Sequence, residues 1–134
     1  PMSVFIIAEI GINHNGDLKI TKDLIRQATS AGCDAVKFQK RDIDIVYTQE
    51  FLDSRAKALG TTQRDQKAGL EFGKAEFDVI DEYCKKLGIE WFASAWDMNS
   101  LAFLDQYDCK YSKIASAMLV SEPFLRAVAS RKRH

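Results

Sequence analysis

Residues 4–39 read VFIIAEIGINHNGDLKITKDLIRQATSAGCDAVKFQ, a stretch with the pattern of a strand, a helix and a second strand. The first part, Val4 to Ala8, is a short run rich in β-branched and aromatic residues, and Glu9 and Gly11 follow it. Such a run predicts a strand that is buried on both faces. A second run of the same kind, Ala35 to Gln39, predicts the next strand.

The segment between these two strands has the pattern of a helix. Asp17 follows a turn-rich loop and is a suitable N-cap, and Gly32 is a suitable C-terminal stop. Between them, apolar residues recur at helical spacing and mark one helical face: Leu18, Ile20, Leu24, Ile25, Ala28 and Ala31.

The rest of the chain repeats this alternation. Further strands are predicted at Ile89–Ala93 and Tyr111–Ala115, with a helix ending at Gly88 before the third strand. A short helix over residues 101–104 follows it, and Pro123 suits the first turn of a last helix. Periodicity weakens between residues 40 and 73, where we expect a long excursion with short helices. Excursions of this length are usually functional or disordered.

Four strand–helix units without hairpin signals predict an α/β fold with a parallel sheet. A small doubly wound sheet fits, and so does the first half of a (β/α)8 barrel, which needs about 250 residues when complete. Polar residues lie in or just after the predicted strands: Glu9, Lys37, Gln39, Ser94 and Lys113. Barrel enzymes carry their chemistry at the C-terminal strand ends, so this distribution favours a half-barrel over residues 1–134.

The composition is that of an ordinary globular domain, with 134 residues, 46% of them hydrophobic and 28% charged. Nineteen basic residues balance nineteen acidic ones, which gives no reason to expect a nucleic acid or an acidic membrane as partner. The longest apolar run is too short to span a bilayer, and we expect no secretory signal. The three cysteines match neither a disulfide framework nor a zinc motif, which favours a cytoplasmic location.

Lys37 and Lys113 each interrupt a strand that is otherwise apolar. Burying an ammonium group is costly unless it reaches the rim or meets an anion. One interpretation for Lys37 is a structural ion pair with Glu9 on the adjacent strand. However, two lysines that converge on one face repel each other unless an anion lies between them, which favours a phosphate or carboxylate ligand.

Other polar residues give weaker signals. Ser94 and Ser116 lie near the ends of their strands, where hydroxyl groups complete anion sites, although each alone is typical of a turn or cap. His14 and the terminal His134 are the two histidines, and the sequence has no motif with metal-ligand spacing. Glycine-rich phosphate loops are absent as well, which argues against a nucleotide ligand.

Six longer segments together resemble the sialic acid synthase (N-acetylneuraminate synthase) family. The resemblance runs in register from about Val4 to about Ala129. The segments are IAEIGINHNG at 7–16, AVKFQK at 35–40, GTTQR at 60–64, LEF at 70–72, WFASAWD at 91–97 and YSKIASA at 111–117. Several long segments in the same order make chance agreement very unlikely.

This resemblance implies a β/α barrel that condenses phosphoenolpyruvate with an N-acetylated amino sugar aldehyde, typically N-acetylmannosamine, and releases phosphate. A small antifreeze-like domain usually follows the barrel and reaches into the partner subunit. By resemblance, the phosphate and carboxylate of phosphoenolpyruvate are held by Lys37, Ser94, Lys113 and Ser116. Glu9 and Gln39 match polar positions near the reacting centre and the sugar.

The sequence also departs from the family pattern. The divalent metal of the family, manganese or magnesium, is held by a histidine pair in the second half of the barrel, and this sequence contains neither that half nor the antifreeze-like domain. Some members carry a glutamate where this chain has Met118. A catalytically inert half-barrel that keeps the fold and an anion site is therefore the alternative to an enzyme. A synthase acting on an arabinose or erythrose phosphate is a third possibility.

The strands of a half-barrel leave two open edges and an uncovered inner face. Open edges and exposed apolar patches promote association. We therefore expect a homodimer, in which the first strand of one copy meets the fourth strand of the other.

Overall fold

The computed structural model describes residues 3–56 and 61–134. Its strands are β1 (Ile7–Gly11), β2 (Ala35–Lys40), β3 (Glu90–Ala95) and β4 (Lys113–Ile114). Its α-helices are α1 (Leu18–Ser30), α2 (Ile43–Val46), α3 (Gln49–Asp53), α4 (Gln63–Ala68), α5 (Lys74–Leu87), α6 (Met98–Leu104) and α7 (Glu122–Ser130). A 3-10 helix, Ser116–Met118, lies between β4 and α7. Within these two ranges no helix has the length and apolar character needed to cross a membrane.

The four strands form one parallel sheet in the order β1–β2–β3–β4. This topology confirms the predicted α/β class and parallel sheet. Strands that are consecutive along the chain are neighbours in the sheet, so each helical crossover advances the chain by one strand. Among the described residues, β1 and β4 are the two edges of the sheet.

The first strand lies further along the chain than the sequence predicts. The apolar run from Val4 to Ala8 was expected to be a strand buried on both faces, but β1 begins at Ile7, and Val4 is 80% exposed. The backbone of Ile6 bonds instead to Asp34, with its N–H donating to the carboxylate over 2.7 Å. An apolar run indicates a strand without fixing where its ladder begins, because the ladder depends on the partner strand. The fourth strand also differs from the prediction: a strand was expected over 111–115, but β4 is only two residues long.

The predicted helix boundaries are confirmed where the capping residues are specific. The carboxylate of Asp17 accepts hydrogen bonds from the backbone N–H groups of Lys19 and Ile20, at 2.6 and 3.1 Å, and so caps α1. Gly88 ends α5 in the left-handed conformation, with φ of 71°, which favours glycine.

The hydrophobic core lies between the sheet and its crossover helices. Helix α1 contacts α5 and β2, and α5 and α6 contact β3. The core includes Ile25 of α1, Phe77 and Ile80 of α5, and the strand residues Val36, Phe38 and Trp91. Alternate residues of the strands therefore face the helices, and the residues between them face the other side of the sheet.

The excursion between β2 and α5 contains the short helices that the sequence predicts. Three of them, α2 to α4, follow the C-terminal end of β2. Thr62 begins α4 with a capping box, in which its hydroxyl accepts from Asp65 N–H while the Asp65 carboxylate accepts from Thr62 N–H. Gly60, the first residue of the GTTQR segment, lies outside the described residues.

Candidate anion-binding site

Strand register brings most of the predicted site residues to one face of the sheet. Glu9 of β1 is the register partner of Lys37 of β2, which is in turn the partner of Phe92 of β3. Two residues further along β2, Gln39 is the partner of Ser94, and Ser94 is the partner of Lys113 of β4. Because partners in a parallel ladder point to the same side, these six residues form two adjacent rows.

Lys37 lies at the centre of this face and has two polar partners. Its ammonium forms an ion pair with the carboxylate of Glu9 and donates to the Ser94 hydroxyl over 3.2 Å. The Lys37 side chain is only 13% exposed, and Ser94 is 3% exposed. The Lys37–Glu9 ion pair that the sequence suggested is therefore present. Together with the hydrogen bond to Ser94, it links the ammonium to both β1 and β3.

Lys37 and Lys113 line the same cavity, as the sequence predicts. This cavity, which we call the anion cavity, has a volume of about 460 Å³. Its wall also includes Glu9, Phe92 and Tyr111. The two lysines and one glutamate give the wall a side-chain charge of plus one, which favours an anionic ligand.

The other two predicted residues are positioned differently. Gln39 is half-buried beside Ser94, in the second row of the face. Ser116 is exposed in the 3-10 helix that follows β4, and it is not among the residues that line the anion cavity. The structure therefore groups Glu9, Lys37, Ser94 and Lys113 on one face of the sheet, whereas Ser116 lies outside this group. The role of each residue is still a prediction.

Sequence reasoning missed a buried ion pair at the C-terminal end of β2. The Arg41 side chain is 5% exposed and donates from Nε to Glu71 over 2.6 Å, and its Nη1 donates to the Tyr47 hydroxyl over 2.7 Å. Burial raises the pKa of the Glu71 carboxyl, against the opposing effect of Arg41. This pair ties the end of the excursion to β2. The LEF segment at 70–72, which contains Glu71, was the one sequence feature that could have pointed to this ion pair.

Asp97 forms a second link, between the exits of β2 and β3. Its buried carboxylate accepts from the backbone N–H and the hydroxyl of Ser100, both at 2.7 Å, and from the backbone N–H of Asp42 at 2.8 Å. The backbone N–H of Trp96 also donates to the backbone carbonyl of Lys40 over 3.1 Å. These bonds hold the two strands in register just beyond Lys37 and Ser94.

His14 is a structural residue in this fold. Its ring stacks on Phe72 with 4.1 Å between centroids, and its Nδ1 accepts from Gly16 N–H over 3.0 Å. Burial lowers the pKa of the imidazole, which favours the neutral form. Across residues 3–56 and 61–134, no three His, Cys, Asp or Glu side chains lie close enough to hold a metal ion. The described residues therefore do not fit the divalent metal that the resemblance implies.

A second cavity, of about 540 Å³ and lined mainly by apolar and aromatic side chains, lies beyond the C-terminal ends of β3 and β4. We call it the apolar cavity. Its wall includes Tyr47, Trp96, Met98, Met118, Pro123 and Phe124. The Arg41 guanidinium lies 5.7 Å from the ring centroids of both Tyr47 and Trp96, so it supports two aromatic residues of this wall.

Comparison with known proteins shows which family the sequence and fold resemble. The NeuB family model matches residues 24–134. N-acetylneuraminate-9-phosphate synthase of Drosophila melanogaster is 39% identical over 131 residues, which cover 96% of this chain and 35% of the relative. N,N'-diacetyllegionaminic acid synthase of Legionella pneumophila is 35% identical over 136 residues, covering 98% of this chain and 38% of the relative.

Solved structures give the same result. The N-acetylneuraminic acid (sialic acid) synthetase of Leptospira borgpetersenii, determined in complex with citrate, superposes with a TM-score of 0.78 and 31% identity. The match covers 96% of this chain and 42% of that one. The chain thus spans little more than a third of the length of the two curated relatives named above. The family model covers most of the chain, and the chain therefore belongs to the NeuB family.

Proposed function

We propose that this chain forms the first half of a (β/α)8 barrel in an enzyme that condenses phosphoenolpyruvate with an N-acetylated amino sugar aldehyde. The product would be a sialic or related nonulosonic acid, together with phosphate. The names of the relatives support this class of product. The open parallel sheet supports the half-barrel, because β1 and β4 each leave an edge for further strands. In addition, Lys37 and Gln39 point away from the face on which Val36 and Phe38 pack against the helices.

The observation that carries the proposal is the position of Lys37 and Lys113 on one cavity. Phosphoenolpyruvate has two anionic groups, a phosphate and a carboxylate, so two separated cations are the matching arrangement. Ser94 of β3 accepts a hydrogen bond from the Lys37 ammonium and so helps to fix its position. Buried groups with fixed partners need little reorganisation when a ligand binds, which is the basis of electrostatic preorganisation.

In the proposed reaction, the enol carbon C3 of phosphoenolpyruvate attacks the aldehyde carbon, and a carbon–carbon bond forms. Water then adds to C2, and one of its protons passes to the former aldehyde oxygen, which becomes a hydroxyl group. The C2–oxygen bond to phosphate breaks, C2 becomes a ketone, and the second proton of the water leaves with the phosphate. Lys37 and Lys113 hold the anionic groups and stabilise the negative charge on the leaving phosphate. Glu9 orients the sugar or carries a proton, and Gln39 and Ser116 contribute to substrate binding. No step of this scheme uses a metal ion held by the chain.

The alternative is an inert half-barrel that binds an anion without turnover. Two observations favour this inert half-barrel for the isolated chain. The described residues form no metal site, and the curated relatives are nearly three times as long as the chain. In this interpretation the divalent metal, manganese or magnesium, would have its ligands outside this chain. We also propose a cytoplasmic location, which is supported by the unpaired thiols of Cys33, Cys84 and Cys109.

Two measurements on the chain test the proposal. Titration calorimetry with phosphoenolpyruvate should show one-to-one binding, and binding should be lost when Lys37 and Lys113 are both replaced by Met. An assay with manganese, phosphoenolpyruvate and N-acetylmannosamine then separates the two functions, because phosphate release indicates an enzyme and binding without release indicates the inert half-barrel. Absence of phosphoenolpyruvate binding would overturn the anion site itself.

A further inference from the structure

A third cavity, of about 420 Å³, lies beyond the C-terminal end of β2 on the helical side of the sheet. We call it the outer pocket, and its wall includes Lys40, Arg41, Asp42, Glu71, Asn99 and Phe103. Lys40 follows Gln39 in β2, and successive side chains of a strand point to opposite faces, so Lys40 lies on the face opposite the polar rows. Among the described residues, none lines both the outer pocket and either of the other two cavities.

Four charged side chains line the outer pocket, and two of them neutralise each other. Arg41 and Glu71 form the buried ion pair described above, in which one Glu71 oxygen accepts from Nε and the other from the Arg41 backbone N–H. The remaining charges are the Lys40 ammonium and the Asp42 carboxylate, and neither forms an ion pair within the described parts of the chain. The wall therefore carries one unpaired charge of each sign.

Both unpaired charges are held in place by neutral groups. Lys40 Nζ donates to the backbone carbonyl of Phe72 over 2.8 Å and lies 4.9 Å from the centroid of the Phe103 ring. The Asp42 carboxylate accepts from the backbone N–H of Asp44 and from the Asn99 amide, both at 3.2 Å. These contacts fix the two groups without cancelling their charges. Each half-buried group therefore still gains from an opposite charge brought by a ligand.

We propose that the outer pocket is a binding site for a small zwitterion of the α-amino acid type, which carries one carboxylate and one ammonium group. The ligand carboxylate binds Lys40, and the ligand ammonium binds Asp42 and the side-chain oxygen of Asn99. The volume of about 420 Å³ is within the range of small-molecule pockets. This site is additional to the proposed function, because it needs neither phosphoenolpyruvate nor an amino sugar.

The balance of charge on the wall selects against ligands of a single sign. A dianion such as phosphate meets Asp42 and Glu71 as well as Lys40, and an amine without a carboxylate meets Lys40 and Arg41. A charged group that enters a half-buried site loses hydration, and an opposite charge is needed to offset this cost. A ligand that carries both charges meets an opposite charge at each end.

Arg41 gives an independent indication of where the carboxylate lies. Its Nη2 is a buried side-chain donor for which the described residues offer no acceptor. An unpaired buried donor is costly and requires an explanation. Because Nη2 is closed to solvent, Lys40 makes the first contact with the ligand, and a small shift of the Arg41 side chain brings Nη2 to the second carboxylate oxygen.

The experiment follows the side-chain amide resonances of Asn99 in the 15N-labelled chain, assigned with Asn99→Ser. The ligands are free alanine, propanoate, which is alanine without its amine, and ethylammonium, which is alanine without its carboxylate. Alanine should shift the resonances and saturate, with an affinity about tenfold higher than that of either fragment, because each fragment loses one charged hydrogen bond. Equal affinities for alanine and propanoate, or no saturable shift with alanine, would overturn the proposal.

Two substitutions test the two ends of the site separately. Lys40→Met should weaken alanine binding about tenfold, since it removes a charged donor. Asp42→Asn retains a residue that caps α2 and should reduce the affinity for alanine to that for propanoate. Lys86→Met and Asp108→Asn, at exposed positions outside the outer pocket, are the matched controls. If Lys40→Met does not fold, Asp42→Asn decides, and an unchanged affinity for alanine in this variant contradicts the site.

Competition separates the outer pocket from the anion cavity. Inorganic phosphate at constant ionic strength should leave the affinity for alanine unchanged, because the two cavities have different lining residues. Displacement of alanine by phosphate, or loss of alanine binding in Lys37→Met, would place the amino acid in the anion cavity and overturn the proposal. Phosphoenolpyruvate binding is measured by calorimetry, so failure of either site is seen independently of the other.

Discussion

Glu9 and Lys37 are register partners across β1 and β2, and their side chains form an ion pair whose two members differ in burial. The lysine side chain is 13% exposed, whereas that of the glutamate is 56% exposed. Water can solvate the carboxylate alone, but it reaches the ammonium poorly. Lys37 is therefore the member that requires a counter-charge, and Glu9 is a counter-ion that a bound anion can replace.

Replacing Lys37 with Met should weaken phosphoenolpyruvate binding by at least tenfold. The substitution removes a charged hydrogen-bond donor, worth about 1.5–3 kcal/mol, and keeps most of the side-chain length. The free energy of unfolding should change little, because water can solvate the exposed Glu9 carboxylate after its ion pair with Lys37 is lost. Calorimetry measures the affinity, and Lys86→Met, at an exposed position of α5, is the control. Wild-type affinity in Lys37→Met would make Lys37 a structural residue.

Replacing Glu9 with Gln should have the opposite effect on simple anions. The change removes a negative charge beside Lys37, and we expect inorganic phosphate to bind about threefold more tightly, since exposed ion pairs contribute up to about 1 kcal/mol. The gain should decrease as salt is added, because salt screens the charges. Glu82→Gln, at an exposed position of α5, is the matched control. Weaker phosphate binding in Glu9→Gln would show that Glu9 assists the anion and does not compete with it.

Replacing Glu71 with Ala should destabilise the fold by about 3 kcal/mol. The substitution leaves the Arg41 guanidinium, whose side chain is 5% exposed, without its carboxylate, and removing one partner of a buried ion pair costs about 3–5 kcal/mol. Urea unfolding followed by circular dichroism measures the change. Glu82→Ala, on the exposed side of α5, should stay within about 0.5 kcal/mol of wild type. An equally small loss of stability in Glu71→Ala would mean that water solvates the Arg41 guanidinium in place of the Glu71 carboxylate.

The alternation of strands and helices was predictable because it depends on local patterns. Capping by Asp17 and the left-handed Gly88 are properties of single residues, and the structure confirms both. The shared face of Lys37 and Lys113 follows from strand alternation once the sheet is parallel. The two caps need no knowledge of how distant segments meet, whereas the shared face of the lysines also requires the register of β2, β3 and β4.

The ion pair of Arg41 and Glu71 was not predictable in this way. The two residues are separated by 30 positions, and they meet because three short helices return the chain to β2. The apolar cavity likewise depends on three segments that are distant in sequence, which contribute Tyr47, Trp96 and Met118. The start of β1 also escaped prediction, because its ladder begins where Ile7 meets Ala35 of the partner strand.

His14 should make the stability of the chain depend on pH. Burial lowers the pKa of the folded imidazole below its ordinary value of 6.5, so the unfolded chain binds more protons than the folded one as the pH falls through this range. Stability is therefore fully present above pH 6.5 and decreases as the pH falls below it, by at most about 1.4 kcal/mol per pH unit. Urea unfolding at pH values on either side of 6.5 measures this slope.

Two histidine variants isolate the effect. His14→Asn should remove the added loss of stability at low pH, whereas His134→Asn, at the exposed terminal position, should keep it. Carboxylates also gain protons as the pH falls, so the quantity to compare at each pH is the difference in unfolding free energy between the two variants. Identical pH profiles for the two variants would assign the dependence to groups other than His14.

The chain should form a homodimer or a larger oligomer through the edges of its sheet. β1 and β4 are the edges among the described residues, and the segment leading into β1 is apolar and open to solvent, with Val4 80% and Ile6 51% exposed. Unpaired strand edges and apolar patches promote association. Ile6→Lys should raise the monomer fraction measured by light scattering, whereas Val120→Lys, at a residue 92% exposed beyond β4, should not. A folded 15.1 kDa monomer at micromolar concentration would contradict the prediction.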